Sequence, residues 1–279
     1  MNIYITLDYE LFFGSESGTI DNCIIKPTQE LLNIVEPYNI KIICFVDAGY
    51  IVALEKYKAK FPELEVDYQK ITDQISYLSQ NNHGIELHIH PHWENSYYDG
   101  SKWVFNTDKY KLSDFNTSEV ENIVKKYNDV LIKISNKSPK AFRAGGWSAQ
   151  PFSHIKNALL DNNVLIDSSV YPKGYYNSKN QEFDFRNVDN YKTKYNFSDD
   201  LTQEDVNGLF TEIPISSCEI SPFFFWNFAF KKIFKQDKHT SFGDGIAIKM
   251  NKKGMIRLML TYSYSVVSID GFKSSLIKR

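Results

Sequence analysis

Cysteine is scarce in this chain of 279 residues, which has three copies at scattered positions, Cys23, Cys44 and Cys218. An odd number of cysteines without close pairs argues against the disulfide framework of a small secreted protein. Cys44 lies in an apolar run, where we expect a buried thiol that packs as a small hydrophobic side chain. A chain of this length can bury a sizeable core without disulfides or a structural metal.

Long apolar runs are missing as well. No run reaches the ~18 residues that a membrane-spanning helix needs, and residues 1–8 lack the basic and apolar segments of a signal peptide. Charge of one sign is not in excess, since the net charge is −2 and the pI is near 6.3, so we expect no nucleic-acid partner. These features predict a cytoplasmic protein, and the lack of repeats and linkers predicts one domain over residues 1–279.

The histidines, in contrast, are concentrated in one stretch. Three of the six, His88, His90 and His92, alternate within five residues. The apolar residues between them predict a strand with one apolar face, so the histidines begin on the other face until Pro91 ends regular pairing. Neutral imidazole is a common ligand of zinc and its first-row neighbours. The stretch therefore predicts a metal site; the alternative is a histidine patch on a solvated strand.

Polar residues also follow the other predicted strands. The order of strands and helices favours parallel strands with helical crossovers. The polar residues at or just beyond the strand ends are Asp8, Glu10, Asp47, His88, Arg143 and Asp167. A barrel of parallel strands would gather such residues around one mouth, where α/β folds carry their chemistry.

An aromatic run that begins at Phe223 and ends at Phe230 precedes two lysines. It is too short to span a bilayer as a helix. We expect a buried helix that packs on the barrel; the alternative is a weak contact with a membrane surface, where aromatic and lysine side chains often rest. A glycine turn at residues 242–245 follows, and the last apolar run, residues 255–260, is expected to be the last strand.

Three local patterns, in this order, resemble the motifs of the polysaccharide deacetylases of carbohydrate esterase family 4, the nodulation-type chitooligosaccharide deacetylase homology domain. The family's motifs are typically Thr-Phe-Asp-Asp-Gly, His-(Ser/Thr)-x-x-His and an Arg-x-Pro-Tyr-like string. Their counterparts here are Thr6-Leu7-Asp8-Tyr9-Glu10, His88-Ile89-His90-Pro91-His92 and Arg143-Ala144-Gly145-Gly146. The longer strings around them look like a branch associated with bacterial lipopolysaccharide or capsule biosynthesis.

The resemblance implies a distorted (β/α)7 barrel and metal-dependent removal of an N-acetyl group from an amino sugar. Carried over by position, Asp8 is the general base, and Glu10, His88 and His92 hold the metal. Asp8 or His90 is the alternative third ligand. The implied ion is Zn²⁺, with Co²⁺, Ni²⁺ or Mn²⁺ as alternatives.

The remaining roles come from the same resemblance. Arg143 would orient Asp8, and Asp167 would match the acid that supports the family's general acid. A backbone N–H near Gly145 would stabilise the oxyanion. The implied substrate-binding residues are His90, Trp93, Gly145 and Trp147.

The sequence departs from the family's pattern at two places. Tyr9 replaces the usual second acid, which makes Glu10 the expected ligand. The family's late general-acid histidine is absent, and Tyr262 falls at about its place; a tyrosine with a pKa of ~10 is a weaker proton donor near neutrality. His90 and His239 are the alternative donors. The second departure leaves open a relative that binds metal and sugar without catalysis.

The expected partner is an N-acetylated sugar, carried on a nucleotide, on a lipid or in an oligosaccharide. The expected location is the cytoplasm, with the inner face of the membrane as the alternative.

Overall fold

The computed structural model of the chain describes residues 2–234, 242–247 and 252–269. The α-helices in these ranges are α1 Lys26–Val35, α2 Ala48–Tyr57, α3 Pro62–Gln80, α4 Thr117–Ser135, α5 Lys156–Asp161, α6 Pro222–Ile233 and α7 Lys252–Leu260. The strands are β1 Ile5–Tyr9, β2 Ile42–Asp47, β3 Gly84–Ile89, β4 Tyr97–Tyr98, β5 Trp103–Val104, β6 Ala141–Ala144, β7 Ile166–Asp167, β8 Tyr175–Asn177, β9 Glu182–Asp184, β10 Tyr195–Phe197, β11 Phe210–Glu212, β12 Ser217–Ile220 and β13 Ser263–Val266. Short helical turns lie at Asp21–Ile25, Glu36–Tyr38, Pro91–Glu94, Leu112–Asp114, Gly145–Trp147 and Phe152–His154.

Seven strands form the central sheet, in the order β1-β2-β3-β6-β7-β11-β10. All neighbouring strands in it are parallel except β10 and β11, which are antiparallel. The predicted α/β class with a mostly parallel sheet is therefore confirmed. Within the ranges given above, no pairing joins the edge strands β1 and β10, so no closed ring of hydrogen bonds is seen there.

The two faces of this sheet differ in character. Cys44, Val46 and Leu87 point to one face, where each is at most 1% exposed and where α2, α3 and α4 pack on β3. The burial of Cys44 is thus confirmed. Phe45 and His88 are sequence neighbours of these residues and point to the opposite, inner face, because successive residues of a strand alternate.

The helix α4 begins at a capping box formed by Asn116 and Glu119. The side chain of Asn116 accepts the backbone N–H of Glu119 at 3.0 Å. The side chain of Glu119 accepts the backbone N–H of Asn116 at 2.8 Å. This reciprocal capping box fixes the start of α4, which packs on β3 beneath the site.

Two expectations for the C-terminal region are wrong. The helix α6 is not buried, since Phe223 is 77% exposed and Trp226 is 53% exposed. Residues 255–260 lie in α7 rather than in a strand, and the strand β13 that follows pairs with β12 outside the central sheet. His239, an alternative proton donor, lies outside the described residues. Of the helices in those ranges, none has the length and apolar character needed to cross a membrane.

Candidate metal centre

Four neighbouring strands bring polar side chains into one row at their carboxyl ends. Asp47 at the end of β2 pairs with His88 on β3, and His88 pairs with Arg143 on β6. The pairing of β1 with β2 continues up to the preceding residue, so Glu10 comes level with Asp47. The carboxyl ends of parallel strands are where α/β folds place their sites.

Glu10, His88 and His90 meet at one point at this end of the sheet. Oε2 of Glu10 lies 2.7 Å from Nε2 of His90 and 3.1 Å from Nε2 of His88, and the two Nε2 atoms are 3.1 Å apart. Ligands about 2.1 Å from a tetrahedral zinc ion lie about 3.4 Å from one another, so a bound ion needs these atoms to move apart by only about 0.3–0.7 Å. In the described part of the chain, these residues form the one group of three that could hold a metal ion.

The backbone of Arg143 fixes the ring of His88. Nδ1–H of His88 donates to the carbonyl oxygen of Arg143 at 2.8 Å, which turns Nε2 towards Glu10. Burial lowers the pKa of His88, but the charges of Asp8 and Glu10 outweigh it and raise this pKa to about 9. Burial by itself would raise the pKa of Glu10. The charges of His90 and His88 and the hydrogen bonds to them have a larger effect and hold this pKa below its ordinary value. The negative potential that favours a proton on His88 would also attract a metal cation.

His90 is held by an aromatic ring and by glycine backbone. The ring of Phe13 stacks on it with a centroid distance of 4.2 Å and an interplanar angle of 22°. A Cβ atom at Gly145 would lie 2.5 Å from Nδ1 of His90, so only glycine allows the backbone this close. His90 and Gly145 therefore shape the metal group in this structure, and the substrate contacts expected of these two residues stay predictions.

His92 does not join this group, although the resemblance implied it as a metal ligand. The strand ends before the turn Pro91–Glu94, so the alternation that keeps His88 and His90 on one face stops short of His92. The ring of His92 is fully buried and stacks on Tyr110 at 5.6 Å and 16°. Neither of its ring nitrogens has a hydrogen-bond partner among the described residues, and burial holds the pKa of His92 well below its ordinary value. In this structure His90 lies with Glu10 and His88, and the ligand role of His92 stays a prediction.

All three nitrogens of the Arg143 guanidinium group donate hydrogen bonds on the inner face of the sheet. Nη1 donates to Oδ1 of Asp8 at 2.7 Å, and Nη2 donates to the hydroxyls of Thr6 and Ser168 at 3.1 Å each. Nε donates to the carbonyl oxygen of Ser168 at 2.9 Å, and the ring of Phe45 lies 4.0 Å from the guanidinium carbon. The arginine is buried, while the side chain of Asp8 keeps 32% exposure. The result is a solvent-accessible carboxylate in a fixed position.

Asp47 is a buried carboxylate in the same row. The indole N–H of Trp93 donates to its Oδ2 at 2.6 Å, and Oδ1 has no partner within the described residues. Burial raises the pKa of Asp47 to about 6, against the charges of His90 and His88. Trp93 is 4% exposed and packs on Tyr50, so it presents no ring face to a ligand. The substrate contact expected of Trp93 stays a prediction.

The turn after β6 holds two residues in the left-handed region. Gly146 has φ 58° and Trp147 has φ 57°. For tryptophan this conformation costs about 1–2 kcal/mol, and such strain clusters at functional sites. The ring of Trp147 is partly exposed and packs edge-on against Tyr171 and Phe183 at 5.2 and 5.8 Å. Its substrate contact stays a prediction.

Asp167 lies on the other face of the sheet from Arg143. It pairs in register with Phe142, the neighbour of Arg143, so its side chain points away from the metal group. It accepts the backbone N–H of Ser169 at 2.8 Å and the hydroxyl of Ser169 at 3.0 Å. The catalytic role implied for Asp167 stays a prediction.

Glu212 on β11 pairs in register with Asp167 and was not identified from the sequence. Both carboxyl groups are buried, and burial raises the pKa of each. The neighbouring Asp167 adds to this effect and holds the pKa of Glu212 well above its ordinary value. Two buried carboxyl groups in contact favour a single shared proton. The signal that could have found this pair is an acid inside the apolar stretch of a predicted strand.

Two aromatic side chains beside the group were also missed as site residues. Phe13 stacks on His90 and meets His92 edge-on at 4.6 Å. Tyr110 stacks on His92 and meets His90 edge-on at 5.8 Å. They come from separate loops, so no local spacing in the sequence joins them.

Tyr262, the expected proton donor, is 67% exposed between α7 and β13. Within the described ranges, no hydrogen bond or ring contact joins it to Glu10, His88 or His90. Its catalytic role stays a prediction.

Comparison with models of known protein families gives no match, and comparison with curated protein sequences gives none. Among solved structures, the chain is similar to a Mycobacterium smegmatis protein described provisionally as a polysaccharide deacetylase, at 16% identity and TM-score 0.38, over 67% of this chain and 45% of that one. It is also similar to a polysaccharide deacetylase from Bacillus cereus, at 17% identity and TM-score 0.33, over 60% and 59% of the two chains. A family 4 acetyl xylan esterase from Clostridium thermocellum, solved with a cobalt ion, has 13% identity and TM-score 0.33, over 61% and 58%. The chain thus spans roughly half the length of these proteins.

Proposed function

We propose that this protein is a metal-dependent hydrolase that removes an N-acetyl group from an amino sugar during synthesis of a bacterial surface polysaccharide, such as lipopolysaccharide or capsule. The observation that carries the proposal is the meeting of Glu10, His88 and His90 on the face where Arg143 holds Asp8. Amide hydrolysis needs an electrophilic centre and a base for the attacking water, and these residues can supply both. The three motifs that resemble the polysaccharide deacetylases support the same reaction.

The proposed metal ligands are Glu10, His88 and His90, with His92 as the alternative third ligand. One carboxylate oxygen and two imidazole nitrogens suit Zn²⁺, and Co²⁺, Ni²⁺ or Mn²⁺ are alternatives. When bound, such an ion polarises a carbonyl and lowers the pKa of water. The hydrogen bond from His88 to the carbonyl oxygen of Arg143 would keep Nε2 aimed at the ion, as bonds to the outer nitrogen of a ligand histidine do.

Asp8 is the proposed general base. Its carboxylate is partly exposed, so water and substrate can reach it, and the 2.7 Å bond from Arg143 keeps one of its oxygens in place. A base works only within hydrogen-bond reach of the proton that it takes, so this anchoring is part of its function. Asp8 lies on β1 and Glu10 follows its last residue, so the two-residue spacing places both carboxylates on the same face of the sheet.

The amine that leaves the acetyl group needs a proton, and Tyr262 is the donor proposed from the sequence. Its exposure, and the lack of a described contact with the metal group, favour a second candidate function. In that case the protein binds a metal and an N-acetylated sugar without hydrolysing it. The two candidates share the site and differ in turnover.

The test uses the metal-loaded protein with N-acetylated sugar nucleotides, lipid-linked sugars and short N-acetyl oligosaccharides, and measures released acetate. The proposal predicts acetate and free amine in equal amounts, lost when a chelator removes the metal. Bound metal with no acetate from any of these substrates would contradict it. Sugar binding that persists in that case would establish the second candidate.

A further inference from the structure

The helix α6 exposes one continuous apolar face. At 100° per residue, the exposed apolar side chains of α6 and of Phe234, the residue after it, fall within an arc of about 100°. They are Phe223, Trp226, Phe230, Ile233 and Phe234, with exposed fractions of 77, 53, 57, 74 and 55%. A helix in a globular protein normally turns such a face to the core. The described residues provide no cover for this one.

The helix α7 extends the same surface. It packs against α6, and the indole N–H of Trp226 donates to the carbonyl oxygen of Met259 at 2.9 Å. Met255, Ile256 and Leu260 on α7 are 54, 57 and 68% exposed. We call the exposed apolar side chains of both helices the α6–α7 face. Contiguous apolar patches of this kind mark sites of interaction with proteins or membranes.

The charge of the chain is distributed unevenly along its sequence. Residues 222–279 contain eleven lysines and arginines against three aspartates and no glutamate, whereas residues 1–221 contain twenty-one basic and thirty-one acidic residues. The small net charge of the whole chain hides this asymmetry. Lys231 on α6 and Arg257 on α7 are exposed beside the apolar side chains. A basic region with exposed aromatics complements an anionic lipid surface.

We infer that the α6–α7 face docks on an anionic lipid bilayer, with both helices lying in the plane of the interface. Trp226, buried on one side by α7 and exposed on the other, suits the headgroup level, where tryptophan is enriched. The acidic remainder of the chain, which carries the metal group, would be repelled by the same surface and would face away from it. The inference does not depend on the proposed reaction, because no residue of the metal group takes part.

The first experiment is vesicle flotation with the full chain. Vesicles of phosphatidylcholine alone are compared with vesicles that contain about one third phosphatidylglycerol. We expect binding to the anionic vesicles to exceed binding to the neutral ones by about ten-fold or more, and to weaken as salt screens the charges. The fluorescence of Trp226 should shift to shorter wavelength on binding, and Trp226→Phe should lose this shift.

Variants separate the apolar and electrostatic contributions. Phe223→Ser with Ile233→Ser removes two of the most exposed apolar side chains, and Lys231→Glu with Arg257→Glu reverses two charges. Each pair should lower vesicle binding by about ten-fold or more. The matched control is Tyr38→Ser with Tyr191→Ser, two tyrosines that are 76 and 91% exposed elsewhere on the molecule, and it should bind as the unaltered chain does.

Equal binding to neutral and anionic vesicles, or no effect of either α6–α7 pair, would overturn the inference. So would a stable dimer that the Phe223 and Ile233 pair dissociates while vesicle binding is absent, because the occupant of the face would then be a second copy of this chain. Circular dichroism checks that each variant keeps its helices.

Discussion

The guanidinium group of Arg143 on β6 donates to the carboxylate of Asp8 on β1 at 2.7 Å, although β2 and β3 lie between these strands. Adjacent strands are about 4.8 Å apart, so a flat sheet would separate the two Cα atoms by about 14 Å. The contact therefore requires a sheet that curves around its inner face. Through Ser168, the same arginine also reaches β7. One buried side chain thus ties together three separate strands at the mouth of the sheet.

Asp8→Asn should abolish most of the hydrolysis while the fold and the metal remain. The amide cannot accept a proton from water, and removal of a general base typically lowers kcat by about 10²–10⁴-fold. Acetate release and metal content are measured on the same preparation. The matched control is Asp184→Asn, which removes the acid of an exposed pair with Arg186 and should leave kcat unchanged. A fully active Asp8→Asn enzyme would exclude Asp8 as the base.

Arg143→Lys keeps the positive charge but cannot reproduce the contacts with Asp8, Thr6 and Ser168. We expect a loss of about 2–4 kcal/mol in the free energy of unfolding, because buried partners are left unpaired, together with a lower kcat. Urea unfolding and acetate release provide the two measurements. Arg186→Lys is the exposed control and should change the unfolding free energy by no more than about 0.5 kcal/mol. Equal effects at the two positions would contradict the anchoring role.

The alternating histidines predicted the part of the site that lies on a regular strand. His88 and His90 share a face because β3 continues to Ile89, and Glu10 lies beside them because parallel strands end together. His92 could not be placed in the same way, because the chain turns at Pro91–Glu94 and leaves the two-residue repeat. A motif defined by spacing does not say where a strand stops.

The other differences depend on long-range contacts or on packing. The register of β6 with β7 places Asp167 on the face opposite to Arg143, and this register joins segments that are distant in sequence. The aromatic composition of α6 predicted burial, because apolar composition does not distinguish a core helix from a helix with an uncovered face. Phe13 and His90 are distant in sequence, so their contact cannot be inferred from a local pattern.

Gly145→Ala should weaken metal binding more than it weakens the fold. The new Cβ would meet Nδ1 of His90 at 2.5 Å, so the imidazole must move and its Nε2 with it. Displacing a ligand in this way should lower metal affinity by about 10–100-fold, the size found for lost supporting contacts. Isothermal titration with Zn²⁺ provides the measurement. Gly146→Ala is the control: the three atoms nearest to its Cβ all belong to Gln181, at 3.2 Å or more, and its φ is 58°, so stability should fall while affinity stays. Reduced affinity in the control alone would contradict this account.

Glu212→Gln should change the pH dependence of stability. Burial and the neighbouring Asp167 hold the pKa of Glu212 well above its ordinary value of 4.5, so the folded chain binds this proton more tightly than the unfolded chain. The stability that it contributes is present below about pH 4.5 and is lost as the pH rises through the folded pKa. The amide has no such loss, so the variant should become more stable relative to the unaltered chain as the pH rises above about 4.5. Urea unfolding at several pH values measures the difference. A difference independent of pH would exclude a raised pKa at Glu212.

The most direct test of the central claim is anomalous X-ray diffraction at the zinc absorption edge from crystals grown with Zn²⁺. The account predicts one ion about 2.0–2.2 Å from Oε2 of Glu10 and from Nε2 of His88 and of His90. An ion held by His88 and His92 with His90 left free, or no ion at this end of the sheet, would contradict it.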